Sequence, residues 1–246
     1  MNIAKLFDLY SRRARLTPAL FTLVAPLASI ALWVPNIYQV VTGLSSLLIA
    51  CGTLFFLASV ARYRGRKLQE RLYEKWGGMP STQMLRFRDN NLDNVTKERY
   101  RAFINDFVPN IEMPSIEDEQ GNPSEADQRY ESASKWLLEQ TRDTNKFDLL
   151  FKENVEYGFR RNLRGLKPIG VLFALLSVVG SLSGFLLLFW ESGNWFIMTG
   201  SVAATISVVS LMCWSGLVTD EWVHDAAKSY AIRLLSSCDR LEGERE

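Results

Sequence analysis

Residues 168–190 read PIGVLFALLSVVGSLSGFLLLFW and contain no charged side chain. An α-helix needs about 20 apolar residues to cross the roughly 30 Å hydrocarbon core of a bilayer. This stretch has that length, and four cations stand just before it, at Arg160, Arg161, Arg164 and Lys167. The sequence therefore predicts a membrane-spanning helix with a basic end.

Three other stretches of the 246-residue chain also lack Asp, Glu, Lys, Arg and His. They are Thr17–Val34, Gln39–Ala61 and Trp195–Val218. A helix on the surface of a soluble protein keeps a polar face, so four uncharged stretches favour an all-α membrane protein over a soluble one. The net charge of +1 conceals this segregation, because all the charged residues lie outside the four stretches.

The positions of Lys and Arg predict the orientation. These residues are enriched on the cytoplasmic flanks of membrane helices. Basic residues precede the first stretch, follow the second and precede the third, whereas the connections Pro35–Tyr38 and Glu191–Asn194 carry none. The opposite ends carry aromatic residues typical of a membrane interface, at Trp33, Tyr38, Trp190 and Trp195. We therefore expect both termini to be cytoplasmic.

The predicted plan is two transmembrane helical hairpins, 17–61 and 168–218, flanking a cytoplasmic helical domain at 62–167. Residues 1–16 predict an interfacial helix, and residues 219–246 a cytoplasmic amphipathic helix. The apolar side of the interfacial helix consists of Ile3, Leu6, Phe7 and Tyr10. A cleaved signal peptide is the alternative at the N-terminus, but a second apolar stretch follows at once, which argues against it.

Local signals in the central domain predict helices separated by turns. Gly77 and Gly78 predict the end of a helix that continues the second span. Thr96 predicts an N-cap, and the acidic, proline-containing residues 108–127 predict an exposed loop. Ser124 with Asp127 resembles a capping box. The helix that it opens would place Ala126, Tyr130, Ala133 and Leu137 on one face.

The C-terminal segment repeats apolar residues in steps of four and three, a heptad pattern. Its members are Val223, Ala227, Tyr230, Leu234, Ser237 and Leu241. Two interpretations remain open. The segment either docks on the central domain or associates with other copies beneath the membrane, where it would assemble or gate an oligomer.

The sequence gives little support for catalysis. His224 is the only histidine, so neither a histidine relay nor a histidine-based metal cluster can form. No nucleophile motif or phosphate-binding loop is present. Cys51, Cys213 and Cys238 are not spaced as a disulfide framework and are expected to be reduced. We predict no enzyme activity, no cofactor and no metal.

Cations of the central domain form a candidate nucleotide or oligonucleotide site. They are Arg86, Arg88, Lys97, Arg99 and Arg101, with Phe87, Tyr100 and Phe103 interleaved. Cations combined with stacking aromatic rings hold single-stranded nucleic acid. Because Asp89, Asp93 and Glu98 are also interleaved, an ordinary solvated face is the alternative.

Small and hydroxyl-bearing residues form a stripe in the last two spans. They are Ser177, Gly180, Ser181, Gly184, Gly200, Ala204, Ser207 and Ser210. Small residues let helices approach closely and hydroxyls bond across them, so close packing is one interpretation. The other is a narrow polar path around an oligomer axis. Since no ionised residue lies within a span, proton-coupled transport and charged selectivity rings are disfavoured.

Two segments of the central domain carry a family resemblance. These are GGMPSTQMLRFRDNNLDNVTKERY, from Gly77 to Tyr100, and WLLEQTRDTNKFDLLFKENVEYGFRRNLRGLKPIG, from Trp136 to Gly170. Together with the two-hairpin plan, they resemble bacterial inner-membrane effectors of antiphage defence operons of the Hailong type. The resemblance covers the plan and the central domain and includes no short motif that assigns a residue role.

The resemblance implies a homo-oligomeric ion channel in the bacterial inner membrane. Such a channel is held shut by a nucleic-acid product of a partner nucleotidyltransferase, and its opening depolarises the infected cell. The expected partners are therefore the lipid bilayer, other copies of the chain (a tetramer being one candidate size) and a nucleotide or nucleic-acid regulator. The alternative is a membrane-anchored sensor or scaffold that recruits cytoplasmic partners and conducts no ions.

Overall fold

The computed structural model describes residues 8–33, 44–188 and 194–243. Every regular element in these ranges is helical, as predicted. The α-helices are α1 (Leu9–Ser11), α2 (Thr17–Trp33), α3 (Leu44–Trp76), α4 (Pro80–Met84), α5 (Asn94–Phe107), α6 (Ile116–Gly121), α7 (Pro123–Gln140), α8 (Asp148–Leu188), α9 (Asn194–Met212), α10 (Asp220–Leu235) and α11 (Ser237–Glu242). Two π-helical turns, Arg12–Leu16 and Cys213–Leu217, precede α2 and follow α9.

Three helical stretches are long and apolar enough to cross a membrane. They are Leu9–Ala31, Asp148–Leu186 and Gly200–Leu217. Each overlaps a predicted span, so the prediction of an all-α chain with membrane-spanning helices is confirmed at this level. The second predicted span, Gln39–Ala61, begins outside the described residues, and α3 covers the rest of it from Leu44.

Some of the predicted membrane-interface features lie outside the described part of the chain. These are the connections between spans, up to Gly193 in the second of them, and the side chains of Trp33, Tyr38, Trp190 and Trp195. The same holds for Ile3, Leu6 and Phe7 of the predicted interfacial helix. From Leu9 onward that segment is helical and continues through the first π turn into α2. Its described part is therefore continuous with the first candidate span.

The chain divides into two compact units. The first unit comprises Met1–Leu68 and Gly158–Val223, and the second comprises Gln69–Tyr157 and His224–Glu246. The second unit thus corresponds to a shortened version of the predicted central domain, 62–167, together with the C-terminal segment.

The C-terminal segment supplies part of the core of the second unit. Leu234, Leu235 and Cys238 are buried in one cluster with residues of α4, α5, α7 and α8. Tyr230 and Leu241 pack against the same cluster. Of the other heptad positions, Ala227 and Ser237 are buried, and Val223 is buried in the first unit. The segment therefore docks within its own chain, the first of the two interpretations, and α10 ends at Leu235 instead of continuing as one helix.

The predicted apolar face of α7 is confirmed. Ala126, Tyr130, Ala133 and Leu137 are each no more than 2% exposed. They pack with Met84, Leu85 and Ile104, which are also fully buried. The second unit therefore has a hydrophobic core of its own, built where the 3.6-residue period of α7 places its apolar side chains.

Three local predictions were wrong in detail. The N-cap of α5 is Asp93, whose carboxylate accepts from the backbone N–H of Thr96 at 2.8 Å. The capping box is Ser115 with Asp118, and it opens a short helix inside the predicted loop. Asn122 caps α7, with Pro123 at its first position. The helix stop at Gly77 and Gly78 is confirmed, because both adopt the positive φ angles, 80° and 132°, that glycine tolerates.

Candidate functional site

All five predicted nucleotide-binding cations belong to the second unit, and the side chains of three of them are buried in its interior. Arg86, Lys97 and Arg101 are 9%, 2% and 7% exposed. Buried charges are rare unless they are paired or hydrogen-bonded. Each of these three side chains is hydrogen-bonded within the protein. They therefore stabilise the interior of the unit and do not form a surface patch.

Arg101 makes the densest set of these contacts. Its Nη1 donates to the carbonyl of Leu85 at 2.8 Å and lies 3.0 Å from the hydroxyl of Tyr130. Its Nη2 donates to the carbonyl of Pro114, and the guanidinium lies 4.0 Å from the centroid of the Phe87 ring. One side chain of α5 thereby ties together α7 and the two irregular segments on either side of α5.

Glu119 is the acidic partner of this network, although it belongs to the stretch predicted as an exposed loop. It is 6% exposed. Its carboxylate accepts from the Tyr130 hydroxyl at 2.8 Å and from the backbone N–H of Phe87 at 2.9 Å. Helix α6 brings this carboxylate inward. The sequence gives no clear signal for it, because Glu117, Asp118 and Glu119 look alike in a charge run.

Arg86 and Lys97 fasten the segment after α4. Arg86 Nε and Nη2 pair with the two carboxylate oxygens of Asp127 at 2.7 and 2.8 Å. Lys97 Nζ donates to the carbonyl of Arg86 at 2.9 Å and to that of Asp89. These bonds satisfy backbone groups that no helix pairs. Asp127, proposed above as half of a capping box, therefore has another role.

The other two predicted cations are exposed. The side chains of Arg88 and Arg99 are 58% and 51% accessible. Arg88 Nε lies 4.0 Å from Glu119, and Arg99 Nε lies 2.8 Å from Asp239 at the surface. The structure thus does not bring the five cations together as one face, and a regulator in solution would meet only these two.

Burial shifts the ionisation of two groups in the second unit. Burial raises the pKa of the Cys238 thiol to about 12 and that of the Tyr130 hydroxyl also to about 12. Both groups stay protonated well above their ordinary pKa values of 9.0 and 10.0.

These shifts predict a loss of stability at alkaline pH. Above about pH 9 the unfolded chain releases the Cys238 proton while the folded chain keeps it, so the unfolded state binds fewer protons and the free energy of unfolding falls. Tyr130 adds to the slope above about pH 10. Denaturant titrations followed by tryptophan fluorescence should show that the free energy of unfolding declines between pH 9 and 12. The decline should be shallower in Cys238→Ala. A decline that begins only near pH 12, or one that Cys238→Ala leaves unchanged, contradicts the burial of the thiol.

In the first unit, α8 uses three glycines that the sequence analysis did not single out. A Cβ at Gly165 would lie 2.8 Å from the backbone nitrogen of Gly65, so α3 and α8 cross with their backbones nearly touching. A Cβ at Gly158 would lie 2.7 Å from the Tyr10 hydroxyl, and one at Gly170 would overlap the Trp214 ring. Gly158 and Gly165 are seven residues apart, which places them on one helix face. This seven-residue spacing is the signal in the sequence that could have indicated a close helix crossing.

Asn162 completes this helix crossing. It is 0% exposed, and its Nδ2 donates to the carbonyl of Ala14 at 2.6 Å. Ala14 lies in the first π turn, just before Pro18, which has no N–H to offer the carbonyls of that turn. Asn162 therefore adds a side-chain donor where the proline leaves the helix one backbone donor short, as backbone groups in a membrane require.

The predicted small-residue stripe is divided between packed and open positions. Ser207 is buried and its Oγ lies 3.2 Å from that of Ser29, which joins α9 to α2. Ser177, Ser181 and Gly200 are also buried, whereas Ala204, Ser210 and Gly184 are half-buried. Gly180 is exposed, and a Cβ there would meet nothing within 4 Å. Packing accounts for the α9 positions and leaves the Gly180 position on α8 uncovered.

The remaining candidates of the sequence analysis are the single histidine and the three cysteines. Among residues 8–33, 44–188 and 194–243, no group of His, Cys, Asp and Glu could hold a metal ion. The ring of His224 stacks on Trp76 at 4.3 Å, and burial lowers its pKa. The three cysteines form no disulfide.

Comparisons with protein-family models, with curated proteins and with solved structures find no match to this chain.

Proposed function

We propose that this chain is a four-span protein of a bacterial inner membrane that assembles into a homo-oligomeric, ligand-regulated ion channel. Its opening would depolarise the cell, as the resemblance to Hailong-type effectors of antiphage defence implies. Both termini and the second unit would face the cytoplasm, and the proposed role includes no catalytic step.

The uncovered surface of α8 around Gly180 carries this proposal. Leu176, Val179 and Leu182 are 59%, 59% and 56% exposed around a glycine whose added Cβ would meet nothing within 4 Å among the described residues. With Gly184 this forms a Gly-x-x-x-Gly pair, a pattern that lets two membrane helices meet closely. A second copy seated there would begin the ring that a channel needs, because four helices of one chain cannot easily enclose a pore.

The absence of ionised groups from the apolar stretches also supports a channel over a proton-coupled transporter, which places such groups at depth. The last two spans carry hydroxyl groups, for example those of Ser177, Ser181 and Ser207. Regulation would act through the cytoplasmic unit. There Arg88 and Arg99 are the predicted nucleotide-binding residues that a nucleic acid made by a partner nucleotidyltransferase would reach.

A membrane-anchored scaffold is the second candidate, and one observation favours it. The hydroxyls of Ser29 and Ser207 bond to each other across the packed faces of α2 and α9, so the α9 half of the small-residue stripe has a sufficient role in packing. A scaffold would recruit cytoplasmic partners through the second unit and leave the membrane potential unchanged.

A bulky substitution at Gly180 separates the two. We expect Gly180→Leu to weaken the oligomer and to abolish depolarisation upon activation, because the leucine keeps a second helix away. Gly52→Leu on α3 is the matched control, since a Cβ at Gly52 also meets nothing within 4 Å. The measurements are a membrane-potential dye in cells and the oligomeric state of the purified protein.

Depolarisation by the wild type and by Gly52→Leu, but not by Gly180→Leu, supports the channel. If activation of the wild type leaves the potential unchanged while the protein is in the membrane, the channel is excluded and the scaffold remains. A monomeric wild type in detergent that also fails to cross-link in membranes excludes it as well.

A further inference from the structure

The first unit contains an apolar groove of about 520 Å³ between its helices. Its walls come from α2, the basic segment of α8 that precedes Pro168, α9, the second π turn and the start of α10. Phe21, Leu163, Ile206, Val209 and Leu217 are among the lining side chains. The volume lies within the range of pockets that bind drug-sized ligands, roughly 300–1,000 Å³.

Three aromatic rings line the end of the groove that lies toward the basic cluster. The Phe159 ring meets that of Phe21 edge-on, with centroids 6.3 Å apart, and that of Trp222 at 6.1 Å. Edge-to-face pairs of this kind are favourable and hold the rings in a fixed geometry. The three rings therefore form a defined wall at this end of the groove.

Positive charge is fixed beside this end wall. Lys167 Nζ donates to the carbonyls of Ser215 and Val218 at 3.0 and 2.9 Å, and Val218 itself lines the groove. Both acceptors are neutral, so the ammonium charge is not cancelled by them. The Arg160 guanidinium lies 4.9 Å from the ring centroid of Trp222, another lining residue. Asp220 pairs with Arg164 at 2.9 Å and also acts on Lys167, so its single negative charge offsets part of the positive charge of the cluster.

We propose that this groove binds one acyl chain of a phospholipid, whose headgroup phosphate rests beside Lys167 and Arg160. The lining belongs to helices that are candidate membrane spans, so the surrounding solvent would be lipid. An apolar channel with positive charge at one end matches an acyl chain joined to an anionic phosphate. Lys and Arg side chains near the ends of membrane helices typically reach the headgroup level. The inference needs the membrane location only and does not depend on ion conduction.

A second copy of the chain is a weaker occupant. It would have to insert a ridge of side chains past the Phe159 ring, and its apolar residues would gain nothing from the adjacent cations. The uncovered Gly180 position offers another copy a flatter contact on the same unit. A single flexible acyl chain can adapt to the shape of the groove, whereas a helix of a second copy would have to match it with side chains at fixed positions.

Filling the groove with a side chain tests the proposal. Val209 lines the groove and is 52% exposed, whereas the neighbouring Val208 is 38% exposed and does not line it. We expect full-length wild type and Val208→Trp, purified in detergent, to retain phospholipid in the protein peak. Val209→Trp is expected to lose most of it. The lipid is extracted from equal amounts of protein and quantified by mass spectrometry.

Equal lipid retention by all three proteins overturns the proposal. So does a change in the oligomeric state of Val209→Trp without a loss of lipid, which would assign the groove to a second copy. The headgroup contact has its own test, because Lys167→Gln should lower the share of anionic phospholipid among the bound lipids. An unchanged share overturns that part.

A second measurement uses only the wild-type protein, so it remains informative if Val209→Trp does not fold. Wild-type protein is reconstituted with a phospholipid that carries a photoactivatable diazirine in its acyl chain. We expect adducts to concentrate on the segment from Val209 to Leu217 relative to Leu182 and Leu186, which are exposed but lie outside the groove. Adducts spread evenly over these positions contradict a bound lipid.

Discussion

Replacing Arg101 with alanine is expected to lower the free energy of unfolding of the second unit by about 3–5 kcal/mol, because each buried polar group left without a partner costs about 1–3 kcal/mol. The substitution removes a donor from the carbonyls of Leu85 and Pro114. It also removes the buried cation 3.0 Å from the Tyr130 hydroxyl, which itself donates to the buried carboxylate of Glu119. Unsatisfied buried groups of this kind account for the large values among measured effects of single substitutions.

Cys238 gives a direct readout of this loss. The thiol is 1% exposed in the core of the second unit, so it reacts with a thiol reagent only when that unit opens. In a full-length background that lacks Cys51 and Cys213, Arg101→Ala should label at much lower denaturant than the parent protein. Arg99→Ala is the matched control, two residues away on α5, and should leave the labelling midpoint almost unchanged because its ion pair with Asp239 is exposed.

Equal midpoints for Arg101→Ala and Arg99→Ala would mean that Arg101 is not part of a buried network. Comparing Arg101→Ala with Arg99→Ala also separates unfolding from a loss of nucleotide binding, since Arg101 is one of the predicted nucleotide-binding residues. A loss of regulator binding in Arg101→Ala would follow from unfolding. Substitutions of Arg88 and Arg99 are the informative test of nucleic-acid binding, because both side chains are exposed.

The second large effect is expected in the first unit. Gly165→Ala should destabilise the protein by about 1–3 kcal/mol, the usual cost of inserting a methyl group into a packed site. The new Cβ would lie 2.8 Å from the nitrogen of Gly65 and 3.0 Å from the carbonyl carbon of Arg64. These are backbone atoms that no rotamer change can move, so α3 and α8 must separate. The bond from Arg64 Nε to the Gly165 carbonyl, now 3.0 Å, would lengthen with them.

Gly52→Ala on α3 provides the control, at a position that the proposed contact between copies does not use. Alanine favours helix over glycine by about 1 kcal/mol, and a Cβ at Gly52 meets nothing within 4 Å. The same substitution should therefore be neutral or stabilising there. Thermal midpoints measured by size-exclusion chromatography of the detergent-solubilised protein after heating should fall for Gly165→Ala and not for Gly52→Ala. Equal behaviour of the two variants would contradict the close crossing.

Helix class and candidate spans could be predicted from the sequence because they depend on sums over many residues. The uncharged runs of about 20 residues and the 3.6-residue period of Ala126, Tyr130, Ala133 and Leu137 tolerate errors at single positions. Helix boundaries did not follow as well. Several Ser, Thr, Asp and Asn residues compete to cap α5 and α7, and the winners, Asp93 and Asn122, are set by the chain that precedes each helix.

The sites were harder to predict because they depend on partners distant in sequence. Arg101 and Arg99 look equivalent in a charge run, yet α5 turns one inward to Tyr130 and the other outward to Asp239. Gly165 and Gly180 are likewise both small residues of α8, and only the position of α3 makes the first one indispensable. The Gly-x-x-x-Gly spacing identifies Gly180 as a candidate contact but gives no sign of Gly165. The contact of Gly165 is with Gly65, a hundred residues earlier in the chain.

The bond between Asn162 and Ala14 also constrains the order of events during synthesis. The Ala14 carbonyl lies in a turn that Pro18 leaves one N–H short, and its side-chain donor comes from a residue 148 positions downstream. In a chain inserted during synthesis, the first apolar helix would therefore enter the bilayer, or stay at its wet surface, before this bond can form. We expect a chain truncated before Asn162 to hold that helix less firmly in the membrane and to be a substrate for membrane quality-control proteases.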